Sequence, residues 1–249
     1  MSRNKITLFI LYIIIVSLLA VIGQQKLNNY KKMIQFKLDP FEESTLGSDL
    51  DFENKKLWII GDSRAVAWDS SFLQFITVSK TNLGIGGQTT KQVLERFRND
   101  LEIAQPEYIL LQVGINDLKS ISFLKDKYIT QNCINNTIEI LELCKTNNIN
   151  VIYTSIFPVG DIELFRRPLW NNIVYDSIQK VNNTIKTYCS NNNCFFFDAY
   201  SLLLSEPGSR NTKKEFQESF LHLNEKGYLF LSEKLKEDFI FKLDTVSAQ

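Results

Sequence analysis

The segment Lys56–Ser63, KLWIIGDS, places a short apolar run directly before a Gly-Asp-Ser turn. An apolar run of this length that stops at a glycine is typical of a buried β-strand, here one that ends before Gly61. A serine in a tight turn between strand and helix presents its hydroxyl at the rim of a sheet. Ser63 is therefore either a candidate nucleophile or the N-cap of the helix that follows.

The alternation of strand and helix continues along the chain. Further strand-like runs are Phe75–Asn82, Tyr108–Val113, Asn150–Phe157 and Cys194–Asp198. Helical spacing marks Thr89–Ala104, Lys127–Asn147, Asn171–Ser190 and Asn224–Leu243. Short unbroken apolar strands between amphipathic helices predict an α/β fold. We expect residues 56–249 to form one three-layer α/β/α, flavodoxin-like domain around a mostly parallel five-stranded sheet.

Chemically useful residues follow the ends of these predicted strands. Gly87 lies in a glycine-rich loop, NLGIGGQT, and Asn116 lies in GIND after the next strand. His222, the single histidine of the chain, precedes the last helix in FLHLNEKGY. Ligands of parallel sheets bind outside the carboxyl ends of the strands, so these residues are expected to meet Ser63 at one rim. Taken singly, each also fits a plainer interpretation: an ordinary loop, a helix cap or a surface histidine.

Taken together, the four residues fit nucleophilic catalysis, because a serine needs a base and its tetrahedral intermediate needs N–H donors. The order of GDS, glycine-rich loop, GxND and HxN resembles the SGNH (GDSL-like) serine hydrolase family over about residues 55–245. The resemblance implies that Ser63 is the nucleophile and that His222 is the general base and then the general acid. It also implies an oxyanion hole made by the backbone N–H groups of Ser63 and Gly87 and the amide of Asn116.

Two positions depart from the pattern of that family, and one conforms. Ser219 stands where the family usually has an aspartate that orients the histidine, so the third member of the triad is either missing or replaced. One alternative is a Ser–His dyad in which a backbone carbonyl or a water orients His222. Arg64 replaces a common aliphatic residue, and it serves either an anionic group of the substrate or a structural ion pair. Asp198, in FFFDAY, matches a family position that is structural.

The N-terminal segment differs in character from the rest. Arg3 and Lys5 precede an uncharged apolar run from Ile6 to Gly23, which is long enough to cross a bilayer core. We expect residues 1–23 to be a membrane anchor or signal segment, and residues 24–55 a stalk that is helical around Lys26–Phe36. An uncleaved anchor, a cleaved signal peptide and a buried helix remain alternatives. The expected location is the cell membrane, single-pass, with an extracytoplasmic domain, or secretion after cleavage.

Charge and cysteine content exclude some classes of function. The 28 Lys and Arg residues balance 28 Asp and Glu residues, so no basic field gathers nucleic acid. One histidine and no Cys-x-x-Cys pair argue against a metal site, and no cofactor is expected. Cys133 and Cys144 are predicted to be buried on one helix. Cys189 and Cys194 flank a short loop and are candidates for a disulfide.

The sequence therefore predicts a membrane-anchored serine esterase that hydrolyses short, acetyl-like acyl esters, with cell-envelope or secreted glycans as candidate carriers. Lipid hydrolysis by a lysophospholipase or thioesterase activity, and glycan O-acyl transfer, use the same acyl-enzyme and stay open. A third alternative is a catalytically silent binding or assembly module that keeps the fold, because Ser219 interrupts the usual triad. Expected partners are the acyl-ester substrate, glycan or lipid, and the membrane; oligomeric state is open.

Overall fold

A computed structural model describes residues 3–38, 56–124, 128–192 and 194–246. Its centre is a five-stranded sheet in which every neighbouring pair is parallel and the strand order is β2-β1-β3-β4-β5. The strands are β1 Leu57–Gly61, β2 Lys80–Asn82, β3 Tyr108–Gln112, β4 Asn150–Thr154 and β5 Phe195–Phe197. This arrangement confirms the predicted α/β fold.

Helices cover both faces of the sheet. In chain order they are α1 Arg3–Leu38, α2 Ser63–Val66, α3 Thr90–Ile103, α4 Ile115–Lys119, α5 Ile129–Thr146, α6 Ile173–Asn191, α7 Ala199–Leu203 and α8 Glu225–Val246. Helices α3, α5 and α6 pack on one face, and α8 packs on the other. Because all neighbouring strands are parallel, their carboxyl ends lie at the same rim of the sheet.

Strand β1 shows that both faces of the sheet are covered by other elements. All five of its residues are buried. Because side chains alternate along a strand, Trp58 and Ile60 enter one core cluster while Leu57 and Ile59 enter the other. An uninterrupted apolar run is therefore the expected sequence for this central position.

Two of the predicted strands are too long. The run Phe75–Asn82 forms a strand only from Lys80; its Phe75 and Val78 pack beneath the sheet from irregular backbone instead. The run Asn150–Phe157 leaves the sheet after Thr154. There the side-chain amide of Asn182 accepts from the Ile156 N–H at 2.8 Å and replaces the ladder. Apolar composition indicates burial but does not distinguish a strand from a buried loop.

Helix α1 runs without a break through the predicted boundary between anchor and stalk. By length and composition it is able to span a membrane, and its apolar part is exposed in the structure. Its last turns lie against the domain through Leu27, Lys31, Ile34 and Leu38. Residues 39–55 of the predicted stalk lie outside the described residues, so the domain boundaries stay a prediction.

All four cysteines are buried and carry free thiols. Cys133 and Cys144 lie on α5, as predicted. Cys189 and Cys194 are neighbours through a hydrogen bond from the Cys194 N–H to the Cys189 carbonyl, at 3.3 Å, and not through a disulfide.

Candidate active site

The Gly-Asp-Ser turn brings Ser63 to the carboxyl-end rim of the sheet. Gly61 has φ +149°, and a Cβ there would lie 1.7 Å from the Gln112 carbonyl oxygen, so only glycine fits. The next residue, Asp62, is buried and its Oδ1 accepts from the Arg64 N–H at 2.9 Å. These two contacts fix the backbone on either side of the point where β1 becomes α2.

The structure brings the Ser63 hydroxyl into contact with the imidazole of His222, which lies 159 residues later in the chain. The distance from Ser63 Oγ to His222 Nε2 is 2.9 Å. Burial lowers the pKa of His222 below its usual 6.5, and the positive charge of Arg64 lowers it further. A neutral imidazole at neutral pH has one unprotonated nitrogen, which is what a general base requires.

Ser219 contacts the other nitrogen of the imidazole. Its Oγ lies 3.0 Å from His222 Nδ1 and also accepts from the backbone N–H groups of Leu221 and His222, at 3.3 Å and 3.1 Å. The third member of the triad is therefore replaced, and the Ser219 hydroxyl itself contacts Nδ1 where a backbone carbonyl or a water was the alternative. A hydroxyl both donates and accepts, so it fixes the tautomer of His222 less strictly than a carboxylate does.

Arg64 is buried and does not present its charge to a substrate. Its Nε donates to the Leu221 carbonyl at 2.8 Å and its Nη1 to the Phe157 carbonyl at 3.1 Å. Burial lowers its pKa to about 10, which leaves the guanidinium charged at neutral pH. The structure supports a structural role for this residue, although in the described residues its contacts are hydrogen bonds to backbone carbonyls and not the ion pair expected. The guanidinium ties the turn of Ser63 to the loop of His222.

The glycine-rich loop passes directly beside Ser63. A methyl group on Gly86 would lie 3.9 Å from the Cβ of Ser63, and Gly87 has φ +78°. The buried side chain of Asn116 donates from Nδ2 to the Gln88 carbonyl at 2.9 Å, which joins the third strand end to this loop. Across the described ranges, the backbone N–H groups of Ser63 and Gly87 donate to no acceptor.

Asp117 is a second buried carboxylate at this rim. Its oxygens accept from the N–H and the hydroxyl of Thr90, at 2.9 Å and 2.6 Å, so it holds the start of α3. Burial raises the pKa of Asp117 to about 7 and that of Asp62 to about 6. No role for Asp117 is predicted from the sequence. Its real partner lies 27 residues away, and nothing local in the sequence shows that.

Helix α1 contacts the same loop. Lys37 Nζ donates to the Gly87 carbonyl at 3.1 Å, and Thr89 Oγ1 donates to the Lys37 carbonyl at 2.5 Å. No contact between this segment and the site is predicted from the sequence. The helical spacing of Leu27, Ile34 and Leu38 was the available signal.

Two cavities lie at opposite rims of the sheet. One of about 490 Å³ opens around Asn150 and Cys194, away from the candidate catalytic residues. Another, of about 200 Å³, lies beside the loop of His222. Its walls include Tyr30, Phe123, Leu169, Phe220 and Leu221. The smaller cavity is the one on the side of His222, because Leu221 in its wall directly precedes His222 in the chain.

Two remaining sequence expectations concern Asp198 and metals. Asp198 accepts from the Ser201 N–H at 3.2 Å and begins α7, which is a structural position. Over the part of the chain that the structure describes, no group of three His, Cys, Asp or Glu residues is arranged to hold a metal ion.

Comparison with known proteins agrees with this architecture. Residues 59–229 match the GDSL-like Lipase/Acylhydrolase family. A GDSL-like lipase of Bacteroides thetaiotaomicron VPI-5482 superposes with a TM-score of 0.62 at 23% identity, covering 82% of this chain and 97% of that protein. Axe2, an acetylxylan esterase from Geobacillus stearothermophilus, gives 0.58 at 18% identity, covering 74% and 93%.

A curated relative matches a shorter part. The uncharacterized lipoprotein YqeF of Bacillus subtilis (strain 168) is 28% identical over 114 residues, which is 40% of this chain. The match spans 47% of that lipoprotein, about half of its length. At these identities the two solved structures establish the shared fold.

Proposed function

The chain belongs to the GDSL-like lipase/acylhydrolase family, and from that premise we propose that it is a membrane-anchored serine ester hydrolase with Ser63 as nucleophile and His222 as base. The observation that carries the proposal is the 2.9 Å contact between Ser63 Oγ and His222 Nε2. That distance lies in the range for proton transfer between nucleophile and base. Residues from both ends of the domain converge to make it.

Acylation uses both partners of this contact. Ser63 Oγ attacks the carbonyl carbon of the ester, and its proton passes to His222 Nε2. The carbonyl oxygen gains a negative charge, and we propose that the backbone N–H groups of Ser63 and Gly87 and the amide of Asn116 donate hydrogen bonds to it. The C–O bond of the ester then breaks, and His222 returns the proton to the leaving alcohol. The acyl group remains on Ser63.

Deacylation repeats these steps with water. His222 takes a proton from a water molecule that attacks the acyl-enzyme, and Ser63 leaves with that proton as the acid is released. Throughout, the reactive tautomer has its hydrogen on Nδ1, which donates to Ser219 Oγ. The tautomer with hydrogen on Nε2 is inactive as a base. The population of the reactive tautomer therefore limits the rate.

We propose short, acetyl-like acyl esters as substrates, carried on cell-envelope or secreted glycans. Support comes from the fold shared with Axe2, an acetylxylan esterase, and from the small size of the cavity beside His222. Anchoring through α1 would keep the enzyme at the cell surface, where such carriers lie. Glycan O-acyl transfer requires only that an alcohol replace the water in deacylation.

Lysophospholipase or thioesterase activity is the second candidate. A specific observation favours it: aromatic and aliphatic side chains, among them Tyr30 of α1, line most of the cavity beside His222, together with the basic residues Lys119 and Arg166. Hydrolysis rates across acyl chains of two to sixteen carbons would separate the two substrates. A rate that falls with chain length supports the glycan-type substrate, and a rate that rises supports the lipid.

The test of the enzyme itself compares the full chain in detergent with its Ser63→Ala variant on p-nitrophenyl acetate. We expect the variant to lose activity by at least about a thousandfold, because the nucleophile is removed. Ser190→Ala, at an exposed position on α6, is the matched control and should keep full activity. Equal rates for wild type and Ser63→Ala would support the silent-module alternative.

A further inference from the structure

The connection between β4 and α6 exposes an unusual amount of apolar surface. Leu164, Phe165 and Leu169 are 76%, 72% and 53% exposed, within the run LFRRPL in which every residue is exposed. Clustered exposed apolar side chains at the tip of a loop are uncommon on a surface that faces only water and mark an interaction site. We call residues 162–169 the apolar loop.

Basic residues lie within the apolar loop. Arg166 stacks on the rings of Phe165 and Phe220, at 5.2 Å and 4.9 Å from their centroids, and pairs with Glu163 at 3.1 Å. Arg167 donates to the Ile162 carbonyl and is exposed. Aromatic and basic side chains side by side are typical of segments that lie at the boundary between lipid tails and anionic headgroups.

The apolar loop lies beside the helix that is long enough to span a membrane. Leu169 and Tyr30 of α1 line the same cavity, and Tyr30 packs edge-to-face on Phe123 at 5.0 Å. Tyr30 follows Gly23, the end of the apolar run, by seven residues, or about 10 Å of helix. An anchored α1 would therefore hold this rim of the domain near the lipid surface.

We propose that the apolar loop docks on the lipid bilayer that holds α1, with Leu164 and Phe165 at the level of the headgroups, so that the cavity beside His222 opens at the membrane surface. The inference rests on the anchoring part of the proposed function and is independent of the catalytic part. We favour a bilayer over a protein partner because an anchored α1 holds the loop next to lipid. In addition, the apolar side chains of the loop match the acyl-chain region, and its cationic side chains match anionic headgroups.

The experiment uses the full chain in vesicles of phosphatidylcholine and phosphatidylglycerol. Single cysteines at Leu164, Leu11 and Ser190 (Leu164→Cys, Leu11→Cys and Ser190→Cys) carry a nitrobenzoxadiazole fluorophore. Quenching by lipids with a nitroxide on the acyl chain reports contact with the bilayer. The native thiols are buried, and the parent chain without an added cysteine measures their background. Leu11 lies in the apolar run, and Ser190 lies near the end of α6 at the opposite rim.

We expect strong quenching at position 11 and quenching at position 164 at least about three times that at position 190. Quenching at 11 with equal, weak quenching at 164 and 190 would overturn the docking while leaving the anchor intact. Weak quenching at all three positions would overturn both. Blue-shifted emission at 164 without lipid quenching would assign the apolar loop to a protein contact and so contradict the proposal.

A second variant tests the contribution of the loop tip. Phe165→Glu, with the fluorophore on Leu169→Cys, should show less than half of the quenching seen at Leu169→Cys alone, because the carboxylate resists entry into lipid. Hydrolysis of soluble p-nitrophenyl acetate by Phe165→Glu, measured in detergent, verifies that the domain is folded. Unchanged quenching in a folded variant would contradict insertion of the tip.

Discussion

The turn that carries Ser63 and the loop that carries His222 are held by different kinds of interaction, although they meet at one hydrogen bond. On the side of Ser63, buried carboxyl groups hold the backbone: Asp62 accepts from the Arg64 N–H, and Asp117 accepts from the Thr90 N–H at the start of α3. On the side of His222, the imidazole is half-buried, and among the described residues its second nitrogen contacts the neutral hydroxyl of Ser219. Buried carboxyl groups hold the backbone around the nucleophile, and an uncharged hydroxyl contacts the second nitrogen of the base.

This difference indicates where the catalytic cost of the missing aspartate falls. The position of the imidazole is preserved, because Arg64 binds the carbonyl of Leu221 next to it. Its tautomer is not fixed by a charge, and the nearby guanidinium lowers the pKa of His222. We therefore expect an enzyme with correct geometry and a base that is weaker than a carboxylate-paired histidine.

Removing the charge that joins the two sides should have the largest effect. Arg64→Met leaves the carbonyls of Leu221 and Phe157 without donors and Asp62 without its cation, so we expect a loss of about 3 kcal/mol in the free energy of unfolding. Urea unfolding of the full chain in detergent measures it. Arg98→Met, at a half-exposed position on α3, should cost less than about 1 kcal/mol. Equal losses of unfolding free energy for Arg64→Met and Arg98→Met would show that Arg64 does not hold the turn of Ser63 to the loop of His222.

Giving the base a charged partner should raise activity. Ser219→Asp places a carboxylate at Nδ1, which favours the reactive tautomer, so we expect kcat/KM on p-nitrophenyl acetate to rise about a hundredfold. The carboxylate also raises the pKa of His222, so the acidic limb of the pH–rate profile should move to higher pH by about one unit. Ser190→Asp controls for the added charge. A rise in kcat/KM without a shift of the acidic limb would show that the carboxylate does not act through His222.

The buried carboxylates on the side of Ser63 should make stability depend on pH. Burial raises the folded-state pKa of Asp117 to about 7, above its unfolded value of 3.8. The folded state therefore binds this proton more tightly, and its contribution to stability is lost as the pH rises from about 4 to 7. In Asp117→Asn the free energy of unfolding should therefore fall less between about pH 4 and pH 7, by on the order of 2 kcal/mol, than in the wild type. Identical slopes of unfolding free energy against pH would contradict this reasoning.

The smallest effect is expected where α1 reaches the side of Ser63. Lys37→Ala removes the hydrogen bond to the Gly87 carbonyl but leaves the contact of Thr89 with the α1 backbone. We expect kcat/KM to fall about threefold, which corresponds to about 0.6 kcal/mol. Lys32→Ala, on the exposed face of α1, should leave the rate unchanged. Equal kcat/KM for Lys37→Ala and Lys32→Ala would show that the contact of α1 with the glycine-rich loop does not affect catalysis.

Sequence reasoning was sufficient where local pattern and chemistry agree. Apolar runs ending at Gly61 and before Gly114 predicted strands whose ends share a rim, and the fold confirms this. Gly61 is also a case in which the residue type follows from geometry, since β3 leaves no room for a Cβ. Ser63 and His222 were selected by chemistry, and the structure places them in contact.

The remaining features depend on contacts that no local pattern contains. Ser219 was identified as a departure by its position in the chain, but only the loop conformation turns its hydroxyl toward His222. The sequence does not distinguish the two roles of Arg64, because its partners are two backbone carbonyls from distant loops. The predicted second strand is longer than the observed one because it includes Phe75, which packs beneath the sheet from irregular backbone. An apolar residue in the sequence does not show which of these two kinds of backbone buries it.

Labelling with a fluorophosphonate probe in intact membranes tests the central claim most directly, because the probe reacts only with an activated serine. Mass spectrometry of the labelled chain should find one adduct, on the peptide that contains Ser63. His222→Ala should slow the labelling at least about a hundredfold. Absence of the adduct, or labelling of Ser63 at the same rate without the imidazole, would show that the contact between Ser63 and His222 does not activate the hydroxyl.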